Sequence, residues 1–154
     1  MKIAPRLAIL TLVLSASLAW TAEMGKVTKA VDGDTIKVKI GRKTETVRLI
    51  GVSTPESVHP RKPVEYFARE ASAFTKRMAL GKRVRLEDDP ACTNRDRYGR
   101  LLRYVYLPNG RMLNAEIIRQ GYGHAYPKYP FSRMEEFRKL ERKAREKGRG
   151  LWAE

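Results

Sequence analysis

The stretch Val27-Thr28-Lys29-Ala30-Val31-Asp32-Gly33-Asp34-Thr35-Ile36-Lys37-Val38-Lys39-Ile40-Gly41-Arg42-Lys43-Thr44-Glu45-Thr46-Val47-Arg48-Leu49-Ile50 decides the fold. Between Thr35 and Ile40, the residues Ile36, Val38 and Ile40 share one face and Lys37 and Lys39 the other, the two-residue period of a half-buried strand. Asp32-Gly33-Asp34 and Gly41-Arg42-Lys43 are turn formers on either side of it. Val27 to Val31 and Thr44 to Ile50 read as flanking strands, and in the second Val47 and Leu49 face away from Arg48. Three strands joined by tight turns make a meander.

Working outward, the pattern changes after Pro55. Ser57 to Lys62 is a polar loop, and Pro63 suits the first turn of a helix. Val64, Phe67, Ala71, Phe74 and Met78 recur at helical spacing, with Gly81 as the stop. Arg83 to Leu86 and Leu101 to Leu107 read as two more strands around a charged loop, Glu87 to Arg100. Asn114 to Gln120 reads as a short helix stopped by Gly121. Ser132 with Glu135 fits a capping box opening a helix to about Lys147, and Leu151-Trp152 is expected to dock on the core. Five short strands with a helix between the third and fourth predict an α+β fold. The five-stranded oligonucleotide-binding (OB) barrel fits, with about three packed α-helices.

The chain has 154 residues, the size of one domain, and 42% of them are hydrophobic, enough for one modest core. It carries 32 Lys+Arg against 17 Asp+Glu, a net charge of +15. That balance favours polyanionic partners, nucleic acid first and an anionic membrane surface second. The single cysteine, Cys92, excludes an intrachain disulfide and has no neighbours at zinc-site spacing. Residues 1–22 read as a signal peptide: Lys2 and Arg6, then an apolar run from Leu7 to Leu14, then small residues toward a cleavage point near Ala19 to Ala22. A retained N-terminal membrane anchor is the competing reading. The domain proper is then 23–154, secreted or periplasmic after cleavage.

Several residues carry chemistry. Asp34 reads as an Asx-turn residue or as a hard-cation ligand at a strand start. Arg48 reads as an exposed strand arginine or as a planar fork for phosphate. Glu56 follows Thr54-Pro55, and the proline stiffens the loop that aims its carboxylate. Arg100 follows a Tyr98-Gly99 turn. His59 and His124 are lone histidines without ligand spacing, and Glu87-Asp88-Asp89 reads as a solvated loop. The basic run from Arg138 to Arg149 reads as a solvated helix face, or as a non-specific phosphate track.

Read in order, Val31-Asp32-Gly33-Asp34-Thr35, Arg48-Leu49 through Thr54-Pro55-Glu56, Glu70-Ala71-Ser72-Ala73-Phe74, Asp96-Arg97-Tyr98-Gly99-Arg100, Arg119-Gln120-Gly121 and Gly150-Leu151-Trp152 resemble the staphylococcal nuclease (thermonuclease-like) family from about Lys26 to Trp152. The resemblance implies the OB barrel and a calcium-dependent nuclease that cleaves DNA and RNA, single-stranded or locally open, to 3′-phosphate products. It implies catalytic roles for Arg48, Arg100 and Glu56, the arginines on phosphate and the glutamate on the attacking water. It assigns Asp34, Ser53 and the Thr54 carbonyl to Ca2+. It makes Arg97, Tyr98 and Tyr126 substrate contacts, stacking of this kind being tolerant of any base. Ser53 departs from the pattern, which has a second carboxylate there, so weaker or altered metal binding is expected. A monomer without an obligate protein partner is expected. The alternatives are a non-catalytic nucleic-acid-binding module on the same barrel, and a basic protein of the envelope or membrane surface.

Overall fold

The computed structural model describes residues 22–57, 61 and 63–153. The signal-peptide reading therefore lies almost wholly outside the described residues, as does His59. Strands β1 (Glu23–Ala30), β2 (Thr35–Ile40) and β3 (Lys43–Leu49) form the expected antiparallel meander, with Val27 opposite Val38 and Ile36 opposite Val47. Then come β4 (Val52–Ser53), α1 (Ala68–Ala79), β5 (Arg83–Glu87), β6 (Leu101–Tyr106), α2 (Leu113–Arg119), β7 (His124–Ala125), α3 (Met134–Glu146) and a 3-10 turn, Gly150–Trp152. The sheet order β1-β2-β3-β6-β5 closes on itself, β5 pairing back with β1 and β3 running parallel to β6. This is the α+β OB barrel with three helices. Closure leaves these strands without an open edge.

The alternating residues fill the barrel. Val27, Ile36, Val38, Val47, Val84 and Val105 are fully buried, each side chain contributing on the order of 1.5–3 kcal/mol of transfer free energy. Helix α2 closes one end. Its buried Asn114 donates to the carbonyls of Ile50 (3.0 Å) and Arg103 (3.1 Å) and accepts from the Val105 amide (2.9 Å). All of its strong polar groups are therefore occupied, and the chain leaving β3 toward β4 is pinned to α2. At the C-terminus Leu151 donates to the Gly121 carbonyl at 2.8 Å, which docks the Gly-Leu-Trp segment as expected. Gly121 and Gly150 have positive φ, and a Cβ on either would overlap the other's backbone or that of Arg149.

Three local expectations are corrected. Helix α1 begins at Ala68, not in the turn at Pro63, because Phe67 takes a left-handed conformation (φ 65°) and breaks the helical path. Ser132 makes no capping box: its amide and hydroxyl both bind Asp89, each at 2.7 Å. Asp89 itself is buried, not solvated. Burial pushes its carboxyl up, but the Tyr104 hydroxyl, Ser132 and the Ala91 amide outweigh that and hold it below the usual range. It ties the loop after β7 to the loop after β5.

Candidate active site

The β1–β2 turn is built around two aspartates. Asp32 accepts the Asp34 amide at 3.0 Å, the Asx turn that the Asp-Gly-Asp pattern favours. Asp34 is buried at the mouth of the barrel. Its Oδ1 accepts from the Thr35 hydroxyl (3.1 Å), and its Oδ2 accepts from the Thr54 amide (2.9 Å) and hydroxyl (3.2 Å). The same Oδ2 lies 3.2 Å from an amino nitrogen of Arg48. Gly33 is required here, since a Cβ would overlap the Thr54 side chain. From α1, Thr75 donates to the Gly33 carbonyl at 2.6 Å.

Arg48 projects from β3 and curls around the bend that follows. Its other amino group donates to the carbonyls of Leu49 (2.9 Å) and Val52 (2.8 Å). The bend turns on Gly51 (φ 71°), where a Cβ would strike the Phe131 ring. Across from it, Asp96 organises a second turn. Its carboxylate accepts the amides of Tyr98 (2.9 Å) and Arg100 (3.0 Å) and Nε of Arg100 (2.6 Å). Binding through Nε orients the terminal amino groups of Arg100 outward as a fork. Burial pushes the Asp96 carboxyl up, yet the Arg100 contacts dominate and hold it below the usual range. The Tyr98 ring is 67% exposed, with Arg97 at 4.7 Å and Arg100 at 5.3 Å from its centroid.

Arg48, Arg97, Tyr98, Arg100 and Tyr126 all line one cavity of about 740 Å³, with an apolar floor that includes Leu49, Leu102 and Phe131. Five of the nine residues singled out from the sequence thus meet in one place. Asp34 and Thr54 join it through Arg48, the residue that touches both carboxylate and cavity. Ser53 follows on β4, opposite His124 of β7. Glu56 lies two residues past Thr54 and is not part of the cavity lining. Its amide donates to the Glu65 carboxylate (2.9 Å) and its carbonyl accepts the Glu65 amide (3.1 Å).

A model of the staphylococcal nuclease homologue family matches residues 46–154. The chain belongs to the staphylococcal nuclease family. It is 38% identical over 131 residues to a thermonuclease of Staphylococcus hyicus, covering 83% of this chain and 75% of that one. With a thermonuclease of Staphylococcus intermedius the identity is 44% over 103 residues, 66% of this chain and 60% of the relative. With the SPbeta prophage-derived endonuclease YokF of Bacillus subtilis it is 34% over 127 residues, 81% of this chain and 42% of the relative.

The donor set of this family member suits a hard cation only with help from outside its side chains. Among the described residues no three acidic, histidine or cysteine side chains converge on one point. At the β1–β2 turn, burial first, then the charge of Asp34 and more weakly that of Glu56, pushes the Asp32 carboxyl up to about 6. Crowded carboxylates of this kind are relieved by a divalent cation, and Asp34, the Ser53 hydroxyl and the Thr54 carbonyl are oxygen donors of the right type.

Asp32, a turn former by its sequence, also adds a carboxylate beside Asp34. Tyr129 and Lys128 also line the cavity, and the second tyrosine of Tyr126-Pro127-Lys128-Tyr129-Pro130 was the available signal for them. Glu65 had no sequence signal at all.

A stability prediction follows from Asp32. Its folded pKa lies above the unfolded value, so it stabilises the fold below pH 4 and that contribution is lost as pH rises through about 6. Asp32→Asn keeps an acceptor for the Asp34 amide but removes the charge. In chelator at pH 7.5 the variant is expected to be more stable than wild type by about 1–3 kcal/mol, with the gain vanishing near pH 4. Urea unfolding at the two pH values checks this; an equal difference at both would contradict it.

Proposed function

We propose that this chain is an exported, metal-dependent nuclease of low sequence specificity, with calcium as its cation, that hydrolyses DNA and RNA to 3′-phosphate products. Its family makes it a phosphodiester hydrolase. The observation that carries the finer reading is Arg48, which links the Asp34 carboxylate to a cavity that Arg100 also lines.

A phosphate entering that cavity meets the Arg100 fork and the Arg48 donors that the Leu49 and Val52 carbonyls and Asp34 leave over. Charge gathers on its oxygens as water attacks phosphorus, and donors fixed in advance lower that barrier. Glu56 takes up or orients the proton of the attacking water, its main chain steadied by Glu65. Asp34, Ser53 and the Thr54 carbonyl would hold a divalent cation, which would supply positive charge near the phosphate oxygens and offset the acidic turn. Tyr98, Tyr126 and Tyr129 offer ring faces to unpaired bases. Stacking reads no base edge, which supports low specificity and single-stranded or locally open substrate. The signal-like composition of residues 1–22 supports export, and a monomer suffices because the site is built within one chain.

Ser53 favours the second reading, a nucleic-acid-binding module without catalysis, because its hydroxyl is neutral where a charged ligand would hold the cation more tightly. The discriminating experiment is a calcium titration of DNA digestion by wild type and Ser53→Asp. The proposed nuclease digests DNA as wild type, and Ser53→Asp lowers the calcium needed for half-maximal rate by about 10-fold. A module without catalysis digests nothing as wild type at any calcium concentration.

A further inference from the structure

Outside the cavity, four aromatic rings run outward from the core on the α1 side of the molecule. Phe74 is buried and stacks on Tyr122 with centroids 4.2 Å apart. Tyr122 stacks on Phe67 at 5.5 Å, and Phe67 meets Tyr66 at 5.9 Å. Tyr66 ends the ladder with 77% of its surface exposed. Phe67 is the single non-glycine residue with positive φ among the described residues. A bulky side chain in that conformation stores strain that only firm surroundings sustain. Here its stacking on Tyr122 supplies them, and the strained step sets the direction in which Tyr66 leaves the chain.

The position of this ladder bears on the reaction. Tyr66 immediately follows Glu65, whose amide and carboxylate hold the main chain of Glu56. The turn carrying Asp34 touches both Arg48, which lines the cavity, and α1, whose Thr75 donates to the Gly33 carbonyl. Arg69, Lys76 and Arg77 are exposed on the same helix as the ladder's inner ring, and Arg77 covers the Phe74 ring at 5.3 Å. An exposed ring two residues before a helix that exposes Arg69, Lys76 and Arg77 offers a single strand of nucleic acid a face for a base and, along the helix, cations for its phosphates.

We infer that Tyr66 is a second stacking platform. It receives a base of the substrate strand beyond the scissile phosphate, outside the Tyr98 cavity. The inference rests on the nuclease reading and names a further specificity-determining residue for it: the enzyme prefers strands long enough to reach both platforms.

The test has two arms. In chelator, binding of a fluorescent thymidine oligonucleotide of about twelve residues is measured by anisotropy for wild type, Tyr66→Ala and Tyr66→Trp. With calcium, kcat/KM is measured on that strand and on a dinucleotide, and the ratio is compared across the three proteins. Tyr66→Ala is expected to weaken oligonucleotide binding by about 5- to 50-fold and to lower the length ratio by a similar factor, while Tyr66→Trp retains both. Equal binding by wild type and Tyr66→Ala overturns the inference. Absence of hydrolysis by wild type on both substrates counts against the nuclease reading instead, and the binding arm still decides the role of Tyr66.

Discussion

Arg48→Ala is expected to lower kcat on DNA by about 10²- to 10³-fold, the cost of removing one fixed donor from a developing oxyanion. Arg48 is held from three directions, by the Leu49 and Val52 carbonyls and the Asp34 carboxylate, so the donors these leave over need little reorganisation when phosphate arrives. Stability should fall too. Both partners of the Arg48–Asp34 pair are largely buried, with side chains 16% and 10% exposed. Removing one partner of such a pair typically costs about 3–5 kcal/mol. Lysine at this position reaches one phosphate oxygen as a point charge and cannot span the two carbonyls and a carboxylate, so Arg48→Lys should recover little of the rate. Steady-state kinetics with thermal unfolding of the same preparations checks both effects. An Arg48→Ala enzyme within about threefold of wild type would remove the arginine from the mechanism.

Glu56→Ala should slow turnover by about 10²- to 10⁴-fold while leaving substrate binding within a few-fold, as expected of a residue proposed to act on water and not on the strand. The distinction separates it from Arg48, whose loss affects phosphate contact and stability together. The amide and carbonyl of residue 56 remain available to Glu65 after the substitution, so the loop keeps its anchor. The charge near Asp32 also falls, so the Asp32 carboxyl should move down from about 6 toward its ordinary value. Single-turnover rates set against oligonucleotide affinity measured in chelator separate the two effects. Equal losses in rate and affinity would make Glu56 a binding residue.

Much of this architecture is legible in the sequence. The meander was readable because Ile36, Val38, Val47 and Leu49 alternate with charged residues, and the turn formers fix the register locally. The local setting of Arg48 and Arg100 is readable because each sits beside a turn whose geometry is local. What escaped the sequence was set by partners far along the chain. Asp89 looks like one more acid in an acidic loop, yet it is buried by Tyr104 and Ser132, which lie 15 and 43 residues away. The same contact takes Ser132 from the helix cap that its spacing predicted. Helix α1 starts late because Phe67 stacks on Tyr122, a residue on the far side of α2. Glu65 steadies Glu56 only because the intervening loop returns to its own base. Ser53 was visible as a departure from the family pattern, but its consequence depends on how close Asp32 comes to Asp34, which composition does not encode.

The central claim is that one buried aspartate, with neutral and main-chain oxygens beside it, holds a cation where two arginines can act on phosphate. The most direct measurement is digestion of end-labelled single-stranded DNA by the wild-type protein with calcium and with chelator, followed by analysis of the new ends. Rapid cleavage with calcium, none with chelator, and 3′-phosphate ends are the predicted result. Intact DNA under every divalent cation tried, or cleavage indifferent to chelator, would contradict the account.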